Sequence, residues 1–313
     1  MIQVTKTDEK GKLVPQEGYV KDSWIHLFNP VDSEVAEVVA ATGVPELFLK
    51  SALDEEEAAH TDREGNCSLF VVDIPVMEED KDGMVYSTVP FGILITEAHI
   101  ITVCLRETSL VSDITEGAVR GFCTKDRYQC LLQILYRNAT KFLHFLRQID
   151  RTSHRLQAEL HRSMKNKELI LLLELEKSLV YFSTSLRGNH VLIDKLYRNE
   201  HVSSCERCLA LLDDVTIENS QAEEMCKIYR DILSGTMDAY ASIISNNVNF
   251  VMKFLTLITI VLTIPTLIAS LWGMNVNVPW QNNEWGFWIV VGIIVVITTV
   301  VSVILFNRTN RLK

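Results

Sequence analysis

The stretch Val251–Asn275 reads VMKFLTLITIVLTIPTLIASLWGMN. As far as Trp272 it carries a single charge, Lys253, placed where a long side chain reaches the membrane interface. A second run, Gly286–Phe306, reads GFWIVVGIIVVITTVVSVILF and carries no charge. At about 1.5 Å per residue, each run is long enough to cross a hydrocarbon core of about 30 Å. The C-terminal part of the chain is therefore expected to be a transmembrane hairpin. Its short outer loop, 273–285, opens with Gly273, Met274 and Asn275. Lys253 flanks one span, and Arg308, Arg311 and Lys313 flank the other, while Asn275–Trp285 has no basic residue. The positive-inside rule then places both termini in the cytoplasm of a multi-pass cell-membrane protein. Trp272, Trp280, Trp285 and Trp288 surround the loop as an interfacial aromatic belt.

The 313 residues carry a net charge of −10. Residues 251–313 have four basic residues and one acid, so the first 250 carry −13. Such an acidic region argues against nucleic acid and favours cations as partners. The seven cysteines form no disulfide framework for a cytoplasmic domain. No phosphate-binding lysine loop, dinucleotide glycine motif or nucleophile elbow is present, so neither an enzyme nor an organic cofactor is expected.

Prolines fall at 15, 30, 45, 75 and 90, and then not again until 265. Residues 1–108 read as an α/β domain. Strands are expected at 23–28, 68–74, 92–96 and 100–105, and short helices at 32–42 and 45–53, with Asp32 or Ser33 as an N-cap. Residues 109–202 read as a helical region, with Gly188 as an interruption, and 203–272 as one stalk helix ending in the first span, 251–272. The loop 273–285, a second span 286–306 and a basic tail 307–313 complete the chain. The fold class is an α+β cytoplasmic domain, then long helices and a two-helix transmembrane hairpin.

The stalk helix carries a polar seam. Asn249, Met252, Thr256, Thr259, Thr263, Thr266, Ser270 and Gly273 recur at alternating steps of three and four, which places them on one face. Steps of seven extend the seam back through Ser245, Asp238, Asp231 and Glu224, and through Ser242, Gly235, Ile228 and Gln221. A seven-residue repeat of this length implies a left-handed supercoil of several such helices. Acids below, hydroxyls and an amide within the membrane, and Gly-Met-Asn at the top describe a cation path. The alternative is helix–helix glue, since small and hydroxylated residues also join membrane helices. A lining of hydroxyls and amides suits a hydrated Mg²⁺, which gives up its waters reluctantly.

These residues resemble the CorA family of divalent-cation transporters, whose signature is Gly-Met-Asn at the outer end of the first of two C-terminal membrane helices. The likeness covers the whole layout. It is strongest from Asp214 to Asn275, through Tyr229-Arg-Asp-Ile-Leu-Ser-Gly235 and from Ser245-Asn246 through Met252-Lys253. The resemblance implies a homopentameric helical funnel with one central pore. It also implies Mg²⁺ uptake, often with Co²⁺ and Ni²⁺, driven by the membrane potential and gated by cytoplasmic divalent ions. Its pore positions fall on Asn249, Met252, Leu255, Thr266 and Asn275. Thr263 stands where the family often has methionine, and Trp272 where it often has tyrosine. Its sensor sites bind Mg²⁺ between subunits: one acid matches Asp214, and a neighbouring histidine falls at Glu218. The partner acid falls near Ser51, with Asp54, Glu55, Glu56 and Glu57 beside it.

Two other functions fit the same residues: a Zn²⁺ transporter of the ZntB kind, with or without proton coupling, and a membrane-anchored ion sensor without transport. A weaker signal is His201-x3-Cys205-x2-Cys208, which would share one helical face and offer three zinc ligands.

Overall fold

In the computed structural model, residues 1–80, 83–117, 119, 121–163, 166–279 and 284–310 are described. They fall into two compact units, Met1–Gly235 and Thr236–Lys313.

In the first unit the apolar runs become the middle of a seven-stranded sheet. Its strands are β1 (Ile2–Thr7), β2 (Leu13–Pro15), β3 (Ser23–Phe28), β4 (His60–Glu64), β5 (Cys67–Asp80), β6 (Gly83–Ile95) and β7 (His99–Cys104). Their order is β2-β1-β3-β7-β6-β5-β4, with β3 and β7 paired in parallel and the other neighbours antiparallel among the described residues. The central strands are apolar on both sides because both sheet faces are covered. Trp24, Phe70, Val72, Ile93, Ile95 and Ile100 enter one core, while Ile25, Leu27, Leu69, Val71, Leu94 and Ile101 enter the other. Helices α1 (Asp32–Thr42) and α2 (Glu46–Ser51) close the second core. The first core is closed by α3 (Ser109–Thr115), α4 (Arg127–Ser163), α5 (Asn166–Leu196), α6 (Glu200–Ser203) and the start of α7 (Glu206–Trp272). The second unit holds the rest of α7 and α8 (Gly286–Asn310).

Several local expectations change. The N-cap of α1 is Val31, not Asp32 or Ser33. Its N–H donates to Glu34 Oε2, which also accepts the Met1 ammonium at 2.8 Å, so Glu34 supplies what a polar cap would. Pro45 is the N-cap of α2 rather than its first helical residue. Gly188 does not interrupt α5. A Cβ there would lie 3.2 Å from Ala59 Cβ, so the glycine serves close packing.

Strand β4 ends opposite Val71, leaving the edge of β5 beyond it without a strand partner. Two buried amides cover that edge. Asn189 accepts the Asp73 N–H at 2.9 Å and donates to the Asp73 carbonyl at 2.8 Å. Asn138 donates to the same carbonyl at 2.8 Å. Asn189→Ala would strand a buried donor and weaken its partner acceptor. The expected loss of unfolding free energy is about 2–3 kcal/mol, read by denaturant titration of the full chain.

His26 lies buried beside Thr102, whose hydroxyl is 2.9 Å from its Nδ1 and accepts the Trp24 Nε1–H at 2.8 Å. Burial pulls the imidazole from its ordinary 6.5 down to about 4. The unfolded chain therefore takes up this proton first as pH falls. Stability is full above about pH 6.5 and drains away towards pH 4, by about 3 kcal/mol in all. Replacing His26 with Gln should flatten that part of the pH–stability curve. An unchanged slope would assign the loss to other groups.

Candidate functional site

The seam is where the sequence placed it. In the second unit Asn249, Met252, Thr256, Thr259, Thr263, Thr266, Ser270 and Gly273 are all exposed, and Leu255 borders them, exposed too. The half-buried residues of this part of α7 are Leu257, Val261, Ile264, Pro265, Ile268 and Trp272. On a helix turning about 100° per residue, these two stripes lie about half a turn apart. Pro265 sits on the covered stripe, inside the helix. It has no N–H to give to the Val261 carbonyl, so the interrupted hydrogen bond also lies away from the seam.

The first unit repeats the pattern. Its part of α7 buries Cys208, Leu212, Val215, Asn219, Ala222, Cys226 and Leu233. Asn219 Nδ2 donates to the Leu186 carbonyl at 3.2 Å, and the Cys226 thiol to the Leu179 carbonyl at 3.2 Å, tying that stripe to α5. Gln221, Glu224, Ile228, Asp231 and Gly235 are exposed on the opposite side. Asp238, Ser242 and Ser245 continue the exposed line in the second unit. Thus the chain's own packing takes one side of α7 at 208–233 and again at 257–272 and leaves the seam open, while from 241 to 256 every face is exposed.

The threonines share one conformation. Thr256 donates to the Met252 carbonyl at 2.8 Å, Thr259 to Leu255 at 2.9 Å, Thr263 to Thr259 at 2.7 Å and Thr266 to Leu262 at 2.9 Å. Each hydroxyl has one hydrogen and two lone pairs, and the hydrogen is committed to the preceding turn. What remains on the seam is a ladder of acceptors. Water around a cation points its hydrogens outward, so such a ladder can accept from a hydrated cation without touching the ion.

At the top, α7 ends at Trp272, and the Gly273 N–H still donates to the Ala269 carbonyl at 2.9 Å. A Cβ on Gly273 would stand 3.3 Å from that carbonyl, so the glycine allows this close turn without a left-handed backbone. The Val276 N–H donates to the Met274 carbonyl at 2.9 Å, and Trp272 Nε1 to the Pro279 carbonyl at 3.2 Å. Asn275 is exposed, and its amide has no hydrogen bond among the described residues. Trp285 and Trp288 are exposed. Trp280, Arg311, Lys313 and the Arg308 side chain lie outside the described residues.

The regulatory residues are more scattered. Asp214 is exposed and Glu218 half-buried on α7; Asp54 and Glu55 sit in the turn after α2. Asp54 accepts the Glu56 N–H at 3.0 Å, and Glu55 pairs with Arg106 at 3.3 Å. Among the described residues no three His, Cys, Asp or Glu side chains gather to hold a metal ion. The zinc reading of His201, Cys205 and Cys208 is corrected by the same finding. His201 belongs to α6, which ends at Ser203, so it shares no helical face with the cysteines, and its ring stacks on Tyr128 at 4.8 Å.

Among the described residues, two helices are long and apolar enough to cross a membrane. The chain matches the CorA-like Mg²⁺ transporter protein family over residues 21–308. It is 27% identical over 301 residues to the cobalt/magnesium transport protein CorA of Methanocaldococcus jannaschii, covering 92% of this chain and 90% of that one. The protein of the same name from Thermotoga maritima is 27% identical over 195 residues, covering 62% of this chain and 55% of its own length. The complete structure of the M. jannaschii CorA magnesium transporter superposes with a TM-score of 0.84 at 23% identity, covering 98% of both chains. That likeness extends through the α/β domain, the long helices and both apolar helices. The chain belongs to the CorA-like Mg²⁺ transporter family.

Proposed function

We propose that this chain carries divalent metal cations across a cell membrane, with Mg²⁺ as the principal ion, through a pore that several copies build around their α7 seams. One observation carries the reading: the exposed polar seam lies opposite the stripe that the chain itself covers. A glue face would need hydrogens to donate across to a neighbour. Here the four threonine hydrogens are spent within their own helix, which favours a water-facing wall.

The amides of Asn275 hold the hydrated ion at the outer mouth, with Gly273 and Met274 ending the helix there. The ion passes the acceptor ladder of Ser270, Thr266, Thr263, Thr259 and Thr256 with most of its waters. It then meets Met252 and Leu255 as an apolar narrowing and Asn249 as the inner amide ring. Asp238, Asp231 and Glu224 draw it onward. No carboxylate stands within either span, so the ion is never held tightly enough to stop. A membrane potential of 100 mV supplies about 5 kcal/mol to a divalent ion, enough for uptake without ATP. Five copies, cytoplasmic termini and contact with membrane lipid complete the arrangement that the family resemblance implies. The names of the two relatives supply cobalt as a second ion and magnesium as the first.

The decisive experiment measures Mg²⁺, Co²⁺ and Zn²⁺ flux into liposomes holding the full chain, with and without a proton gradient. Mg²⁺ flux that follows the voltage and ignores the proton gradient is expected. Zn²⁺ flux that requires protons would favour the ZntB-like function, and no flux of any ion would favour the sensor.

Closure by cytoplasmic Mg²⁺ would use Asp214 and Glu218 of one copy with Asp54 or Glu55 of the next. Glu55 would first have to leave Arg106, which also pairs with Glu78. Calorimetric titration of the full chain with Mg²⁺ should show binding heat that Asp214→Ala removes. Equal heats for the two proteins would end the idea.

A further inference from the structure

The start of α7 and the residue before it place two thiols, Cys208 and Cys205, in the lining of a cleft that the transport reading does not use. Cys205 is the N-cap of α7: the Leu209 N–H donates to its carbonyl at 2.9 Å. Its Sγ accepts the Cys208 N–H at 3.3 Å. Cys205 is half-exposed and Cys208 buried. Two residues separate them, the Cys-X-X-Cys spacing at a helix N-terminus that redox-active thiol pairs use. Two other buried thiols differ in what surrounds them. Cys130 donates to the Cys123 carbonyl at 3.0 Å and Cys226 to the Leu179 carbonyl, so both are spent on backbone.

The two sulfurs are chemically unequal. Hydrogen bonds from the thiol and amide of Cys208 hold the Cys205 thiol below its ordinary value. Burial, followed by the bond to Cys205, pushes Cys208 up to about 12. An accessible nucleophile backed by a protonated, buried partner one turn on is the division of labour that thiol–disulfide exchange needs.

Both cysteines line a cleft of about 530 Å³. Its wall carries Arg63, Lys125, Arg127 and Arg207 against Glu97 and Asp126. Arg127 is paired with Asp22 at 3.0 Å, and Glu97 is held by Asn66 at 2.6 Å. Asn66 leaves the Glu97 charge in place, so Arg63, Lys125 and Arg207 face Glu97 and Asp126, and the balance is basic by one charge in a unit that is acidic as a whole. It suits a ligand bearing carboxylates.

We propose that Cys205 and Cys208 are a redox-active dithiol that exchanges with low-molecular-weight, carboxylate-bearing disulfides docked in this cleft. The Cys205 thiolate attacks one sulfur of R–S–S–R; a new bond joins Cys205 Sγ to that sulfur as a mixed disulfide, the reagent's S–S bond breaks, and RS⁻ leaves and takes up a proton. The Cys208 sulfur, giving its proton to solvent, then attacks Cys205 Sγ and expels the second RS⁻. Two protein thiols lose two electrons, one disulfide gains them, and a Cys205–Cys208 bond remains.

The test uses the full chain in detergent with oxidised glutathione as the probe and mass spectrometry as the readout. One intramolecular disulfide, mapped to Cys205 and Cys208, is expected, with the other five thiols free. Cys208→Ser should trap a single glutathione on Cys205. Cys205→Ser, which keeps a good N-cap residue, should block reaction at Cys208. Lys125→Glu with Arg207→Glu should slow reaction with oxidised glutathione by about tenfold while leaving the uncharged bis(2-hydroxyethyl) disulfide unaffected. Cys205 and Cys208 remaining reduced, or oxidation no faster than at Cys123, would overturn the dithiol. Equal slowing with both reagents would overturn the anionic ligand.

Discussion

Valine in place of Thr259, Thr263 and Thr266 together is expected to cut Mg²⁺ flux into liposomes by at least about a hundredfold. Valine keeps the shape of threonine and removes only the hydroxyl. Each ring then loses an acceptor for the water around the ion, at about 1 kcal/mol apiece, and three rings give about two orders of magnitude in rate. Each hydroxyl donates its hydrogen within its own helix, so their loss should leave assembly and unfolding nearly unchanged. Serine at the same three positions restores the acceptors and should restore most of the flux. Near-normal flux in the valine protein, or a broken assembly in place of a silent pore, would return the seam to the role of glue.

Asn275→Ala should lower the same flux by at least about tenfold, since each copy withdraws a hydrogen-bonding amide of about 1 kcal/mol from the mouth. Asn275→Asp gives the contrasting result. A ring of carboxylates would bind the ion more tightly and release it more slowly, so low-concentration uptake rises while maximal flux falls. Unaltered transport by the alanine protein would move the first contact away from Asn275.

The seam was legible in the sequence because it is a pattern of spacing, and spacing survives folding when the helix does. The central strands were legible for the same reason: the middle parts of β3, β5, β6 and β7 are buried on both faces, so apolar residues dominate runs such as Leu69–Val72, Phe91–Ile95 and Ile100–Ile101. Strands β1, β2 and β4 were not. They are edge or near-edge strands of polar residues such as Lys6, Asp62 and Arg63, the composition that keeps edges from pairing with other chains. The Asn138–Asn189 cover over Asp73 left no trace either, because it joins residues 65 and 116 positions away from their partner. The commitment of the threonine hydrogens is a matter of rotamer, which residue order does not fix. His201 was misplaced because nothing in its neighbours announces the break at Ser204 that separates α6 from α7.

The opposition of the two stripes on α7 makes this helix a record of two selection pressures written half a turn out of phase. A complete substitution scan should therefore return two tolerance waves of the same helical period. An abundance screen would dip at Leu212, Ala222, Val261 and Ile268, whereas a growth screen dependent on ion uptake would dip additionally at Asn249, Thr256, Thr263 and Thr266. Their difference, position by position, isolates the conducting wall from the folded body without any further structure.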